Sequence, residues 1–162
     1  MPLDKQTQPT EPLAPPDLND DGDFSDMLSE LRILLPGAQM LTAFLIILPF
    51  NGGFRQIQHL EKIIFLATFV FSLASLVLLS GPAIQHRLMR PLQDRARFKR
   101  MATRQILFGA LSLACSLILG TNLVISEVFG LAIGLGISGI MATLIICVWW
   151  LWPVYLKNKH GY

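Results

Sequence analysis

Residues 106–126 read ILFGALSLACSLILGTNLVIS and residues 128–152 read VFGLAIGLGISGIMATLIICVWWLW, with Glu127 the only charge between them. At ~1.5 Å rise per residue, runs of this length extend roughly 31 to 37 Å as helices, enough for a hydrocarbon core of ~30 Å. A helix on a soluble protein keeps one polar face for water, and neither run has one. The pair therefore reads as two membrane spans joined by a tight turn at Glu127.

Inside the second run lies GLGISG, residues 134–139, with the G-x-G-x-x-G spacing of a dinucleotide loop. That loop needs a preceding strand, a βαβ unit and an acidic residue about twenty positions on. Position 159 is Lys, and the flanks are apolar span. The glycines have other work in lipid, where helices associate through close backbone approach and hydrogen bonds. Gly130, Gly134, Ser138 and Ala142 recur every four residues, and the preceding span carries Ser112, Ser116 and Gly120. A turn centred near Ile125 sets Gly120 against Gly130, Ser116 against Gly134 and Ser112 against Ser138. Gly136 and Gly139 lie off this stripe, available to another span or another subunit. The same register separates Cys115 from Cys147 by about ten residues of depth, ~15 Å, and predicts no disulfide between them.

Two further uncharged runs complete the set, residues 33–50 (ILLPGAQMLTAFLIILPF) and residues 63–80 (IIFLATFVFSLASLVLLS). Gly81-Pro82 reads as a helix stop after the latter. The expected fold is all-α, an integral membrane four-helix bundle. Composition agrees: 52% of residues are hydrophobic, only 15% are charged, and mean hydropathy is +0.53. A soluble domain of this size needs a larger charged surface.

The charges are segregated. Residues 1–23 hold five of the ten prolines and few large apolar groups, which predicts a disordered acidic tail with no secretory leader. Within it, Asp17, Asn19, Asp21 and Gly22 imitate the opening of a calcium loop, but the clamping Glu at its twelfth position is Leu28. Phe24, Met27, Leu28, Leu31 and Leu35 recur at helical spacing, predicting a short interfacial amphipathic helix over residues 24–35, with a kink or fresh start at Pro36. Residues 81–105 form a basic loop, QHRLMRPLQDRARFKR at its centre, and residues 153–162 a tail.

Lys and Arg counts set orientation. Eleven of them fall on the side of the termini and the basic loop, against Arg55 and Lys62 on the other. Both termini are thus expected in the cytoplasm of a bacterial inner membrane. Arg87, Arg90, Arg95, Arg97, Lys99 and Arg100 are candidates for anionic lipid headgroups, with Leu88, Met89, Leu92 and Phe98 dipping into the interface. A clasp between this loop and the acids from Asp20 to Glu30 is a second use. Nucleic acid is not expected, because no aromatic platform accompanies the bases.

No span contains Asp, Glu, Lys, Arg or His. Proton-coupled transport and catalysis usually need one at depth, so no enzyme activity, metal or cofactor is expected. Glu30, Arg32 and Gln39 form a candidate polar group at the mouth of the first span. The expected role is structural or accessory, packing with copies of itself or with a larger membrane complex. The alternative is a small ion transporter or channel whose polar path forms between subunits.

The segment LSELRILLPGAQMLTAFLIILPF, residues 28–50, resembles the leading signature of a bacterial family of small four-span membrane proteins classed as a domain of unknown function. The resemblance rests on Glu30-Leu31-Arg32, Leu35-Pro36-Gly37, Gln39, Ala43-Phe44-Leu45 and Pro49-Phe50, with His86-Arg87 later, and spans residues 25–152. It implies a four-helix inner-membrane protein without an assigned activity. A sodium:proton antiporter label attached to some relatives finds no intramembrane carboxylate here to carry it.

Overall fold

A computed structural model describes residues 18–50, 59–89 and 95–160. Among the described residues all regular structure is helical: α1 (Leu18–Ile47) with a 3₁₀ turn at Leu48–Phe50, α2 (His59–Leu88), α3 (Arg95–Phe129) and α4 (Leu131–Ile146). A π-helical turn at Cys147–Leu151 joins α4 to α5 (Trp152–His160). Four segments are long and apolar enough to cross a membrane: Met27–Phe50, His59–Leu88, Arg97–Phe129 and Leu131–Lys159. The all-α four-span architecture is therefore as the uncharged runs require.

Helix ends depart from the expected boundaries. The tail predicted over residues 1–23 lies outside the described residues up to position 17, but the chain is helical from Leu18 onward. Pro15 and Pro16 precede that start in the sequence. Residues 18–28 are thus helix, which excludes a calcium loop there. Residues 24–35 are no separate interfacial helix, since α1 runs through Pro36 into the first span.

α2 likewise runs through Gly81-Pro82 to Leu88, and α3 begins at Arg95, so most of the expected basic loop is helix. Proline removes one donor and crowds the carbonyl four residues back, yet neighbouring helices make it tolerable in a span. Pro82 is fully buried, and the Gln105 side chain of α3 lies across Gly81, its Oε1 3.3 Å from where a Cβ would sit.

The helices pack in chain order. α1 lies on α2 and touches α3, α2 pairs with α3, and α4 packs on α3, with no Cα of α4 within 8 Å of α1 or α2. Leu31, Ala38, Leu79 and Leu113 form the buried apolar cluster. Gly109 makes the α2–α3 seam possible, because a Cβ there would stand 2.9 Å from Leu79 Cδ2.

The α3–α4 turn is not at Glu127, which lies within α3. It is a single residue, Gly130, with φ 90° and ψ 162°, its N–H bonded to the Ser126 carbonyl at 2.9 Å and its carbonyl accepting from the Gly134 N–H at 3.1 Å.

Candidate functional site: the polar seams between the spans

Moving the turn to Gly130 moves the register. Gly134 lies against Ser126, where an added Cβ would stand 2.9 Å from Ser126 Cβ and 3.0 Å from its Cα. Asn122 Nδ2 donates to Ser138 Oγ at 3.4 Å. The expected pairs Gly120–Gly130, Ser116–Gly134 and Ser112–Ser138 are therefore wrong by about ten in the sum of paired numbers. Gly134 and Ser138 are buried on α3 and Ala142 is half-buried, while Gly130 is an exposed hinge. Gly136 and Gly139 are exposed, with nothing within 4 Å of an added Cβ.

Ser116 and Gly120 face α2 instead. Ser116 Oγ donates to the Thr68 carbonyl at 2.9 Å, and an added Cβ on Gly120 would meet Thr68 Cγ2 at 3.5 Å. Ser112 is half-buried and bonds the Phe108 carbonyl of its own helix at 2.9 Å. Gly109, absent from the expected stripe, belongs to this face. Its spacing of seven from Ser116 was the signal. The new register also brings Cys147 to within about two residues of Cys115 in depth, ~3 Å, correcting the expected ~15 Å. Both remain free thiols, Cys147 exposed and Cys115 half-buried.

A buried polar contact crosses each seam among the described residues. Between α1 and α2 the hydroxyls of Thr42 and Ser72 are 2.5 Å apart. Thr42 Oγ1 also reaches the Ala38 carbonyl at 2.8 Å, and its one proton goes there, so Ser72 is the donor across the seam. Ser116 to Thr68 joins α2 to α3, and Asn122 to Ser138 joins α3 to α4. Thr42, Thr68, Ser72, Ser75 and Ser116 are all buried. Ser75 Oγ has no hydrogen-bond partner, nor do the buried Oε1 atoms of Gln85 and Gln105.

The other expected groups are surface features. Glu30, Arg32 and Gln39 are all exposed on α1, whose buried face is Leu31, Ala38, Thr42 and Leu45. Glu30 and Arg32, two residues apart, project roughly 200° apart around the helix, so the expected polar mouth is not assembled. At the basic end Arg87, Arg97, Lys99 and Arg100 are exposed, Arg90 lies outside the described residues, and Arg95 opens α3. Leu88 and Met89 are exposed, and Leu92 lies outside the described residues. Phe98 does not dip outward: it is buried, its ring 6.1 Å from that of His86, pinning the end of α2 to the start of α3. Of the acids proposed to clasp this end, Glu30 has a described side chain, and it is exposed.

Toward the opposite end, α1 and α3 part to leave a cleft of about 310 Å³, lined by Leu41, Phe44, Leu45, Leu48, Leu117 and Val124 among others. Its Thr121 hydroxyl is already bonded to the Leu117 carbonyl at 2.7 Å. Among the described residues no three His, Cys, Asp or Glu side chains group as metal ligands.

No curated protein and no solved structure matches this chain. A family model does, over residues 16–153, and so takes in the first three spans, most of the fourth and the seam contacts described above. The chain belongs to the family of unknown function DUF6328.

Proposed function

We propose that the protein is a non-enzymatic membrane subunit that acts by packing, either with copies of itself or within a larger membrane complex. The observation that carries this reading is the neutral chemistry of the seams. The hydrogen bonds Thr42–Ser72, Ser116–Thr68 and Asn122–Ser138 that join neighbouring spans are made by hydroxyls, an amide and a backbone carbonyl. Such contacts lock helices together but leave no group at depth that exchanges a proton.

The Lys and Arg distribution supports an orientation with the basic end of α2 and α3 in the cytoplasm, Arg87, Arg97, Lys99 and Arg100 meeting anionic headgroups. The test is the mass of the purified protein in mild detergent or lipid discs, with the partners that co-purify. A defined oligomer or a stable larger assembly is expected, and a lone monomer in both settings overturns the reading. Accessibility labelling of single cysteines placed at 55 and 158 checks the orientation, with only the latter expected on the cytoplasmic side.

Ser75 supports a second reading, a small transporter or channel. Its hydroxyl is fully buried beside the Thr42–Ser72 pair and unbonded, as a guest site would leave it. Ion flux into proteoliposomes that disappears with Ser75→Ala but not Ser112→Ala would favour it.

A further inference from the structure

The lipid-facing hydroxyls of the spans satisfy themselves. Ser112 bonds the Phe108 carbonyl and Thr143 the Gly139 carbonyl, each at 2.9 Å within its own helix. Gln39 differs. It stands six residues, ~9 Å, inside the uncharged run of the first span. It is exposed on a flank of α1, roughly 90° around the helix from the buried face of Leu31, Ala38, Thr42 and Leu45, and among the described residues it has no hydrogen-bond partner. Its amide presents two N–H donors and a carbonyl acceptor to hydrocarbon, where no water competes to satisfy them.

We infer that this face of α1 is where a second copy of the chain docks, the two Gln39 amides bonding each other across a two-fold axis normal to the membrane. The proposal rests on the self-association reading above and gives it an address. The occupant follows from complementarity of partial charge. A primary amide is its own complement, with Nε2–H of one copy on Oε1 of the other and the reverse. A copy inserted the same way necessarily brings its amide to the same depth, as an isologous contact requires. A different protein would have to supply a matching polar group there. α1 also stands at one edge of the row of helices, so its outer face is clear of α4. Pro36 and Ala43 share that face at spacings of three and four from Gln39, and neither carries a long side chain to hold a second helix away. Arg32 lies two turns nearer the basic end, where its long side chain spreads among headgroups and salt screens it from the copy's Arg32.

The experiment uses the full chain in lipid vesicles with Cys115 and Cys147 changed to Ala. Gln39→Cys is expected to form a disulfide-linked dimer on oxidation, while Leu66→Cys, exposed on α2, is not. In the otherwise native chain, Gln39→Leu is expected to weaken self-association at least tenfold in a dilution series read by energy transfer, and Gln39→Asn to weaken it less. Leucine on a lipid-facing surface leaves insertion intact, so loss of association is not loss of fold. If the protein self-associates but Gln39→Cys does not crosslink, or Gln39→Leu associates as tightly as the native chain, this interface is overturned while self-association stands. A monomer at every dilution overturns both.

Discussion

Gly130 holds a backbone conformation that side chains forbid. With φ 90° and ψ 162° it sits in a region open almost only to glycine, where other residues are strained by about 1–3 kcal/mol. Gly130→Ala should lower unfolding stability by that amount, measured by denaturant titration in mixed micelles. Gly136→Ala, in open helical surface, should leave it unchanged or slightly raised. Ser116→Ala removes a buried polar bond across the α2–α3 seam and should cost about 0.6 kcal/mol, up to roughly 1.7. The Thr68 carbonyl that it leaves behind keeps its place in the backbone ladder of α2, which keeps the loss small.

At the scale of elements, the same missing side chain has different weights in different places. An added Cβ at Gly134 would strike the backbone N and Cα of Ser126 at 3.0 Å, whereas at Gly109 it would strike side-chain atoms only, Leu79 Cγ and Cδ2 at 2.9 Å and Leu78 Cβ at 3.2 Å. Gly134→Ala should therefore cost more than Gly109→Ala, on the order of 1–3 kcal/mol, because a rigid neighbour forces α3 and α4 apart. The register has its own check. Asn122→Cys with Ser138→Cys should crosslink, and Ser112→Cys with Ser138→Cys should not. These elements also mark how far sequence reading reached. The four spans were legible because an uncharged run of that length has no other solvent than lipid. The α3–α4 register was not, since Gly130 continues the four-residue glycine stripe and looks like packing until its φ is known. Helix ends were hidden for a related reason: Arg95 to Arg104 read as a loop by charge, although a helix needs no change of backbone to leave the membrane. Burial of Ser116 was foreseen, but its partner belonged to α2, which no spacing within α3 reveals.

Across the whole molecule the helices form a row, not a closed ring of four. α4 approaches α3 alone, so the hold of the C-terminal segment on the rest is the Gly134–Ser126 approach, the Asn122–Ser138 bond, the packing around them and Trp149 of the π-helical turn against the buried apolar cluster. Pulling the C-terminus from a bilayer should therefore release α4 and α5 as the first step, at lower force than the α2–α3 hairpin that follows, as single-molecule extraction would record. The row has a further consequence, for how the chain is made. Every seam bond joins a helix to the one synthesised just before it: Thr42 to Ser72, Thr68 to Ser116, Asn122 to Ser138. As α2, α3 and α4 leave the ribosome in turn, the polar partner of each already waits in the bilayer on the helix before it. Insertion and folding can then proceed as one zippered process, with no stage at which a buried hydroxyl depends on unfinished protein.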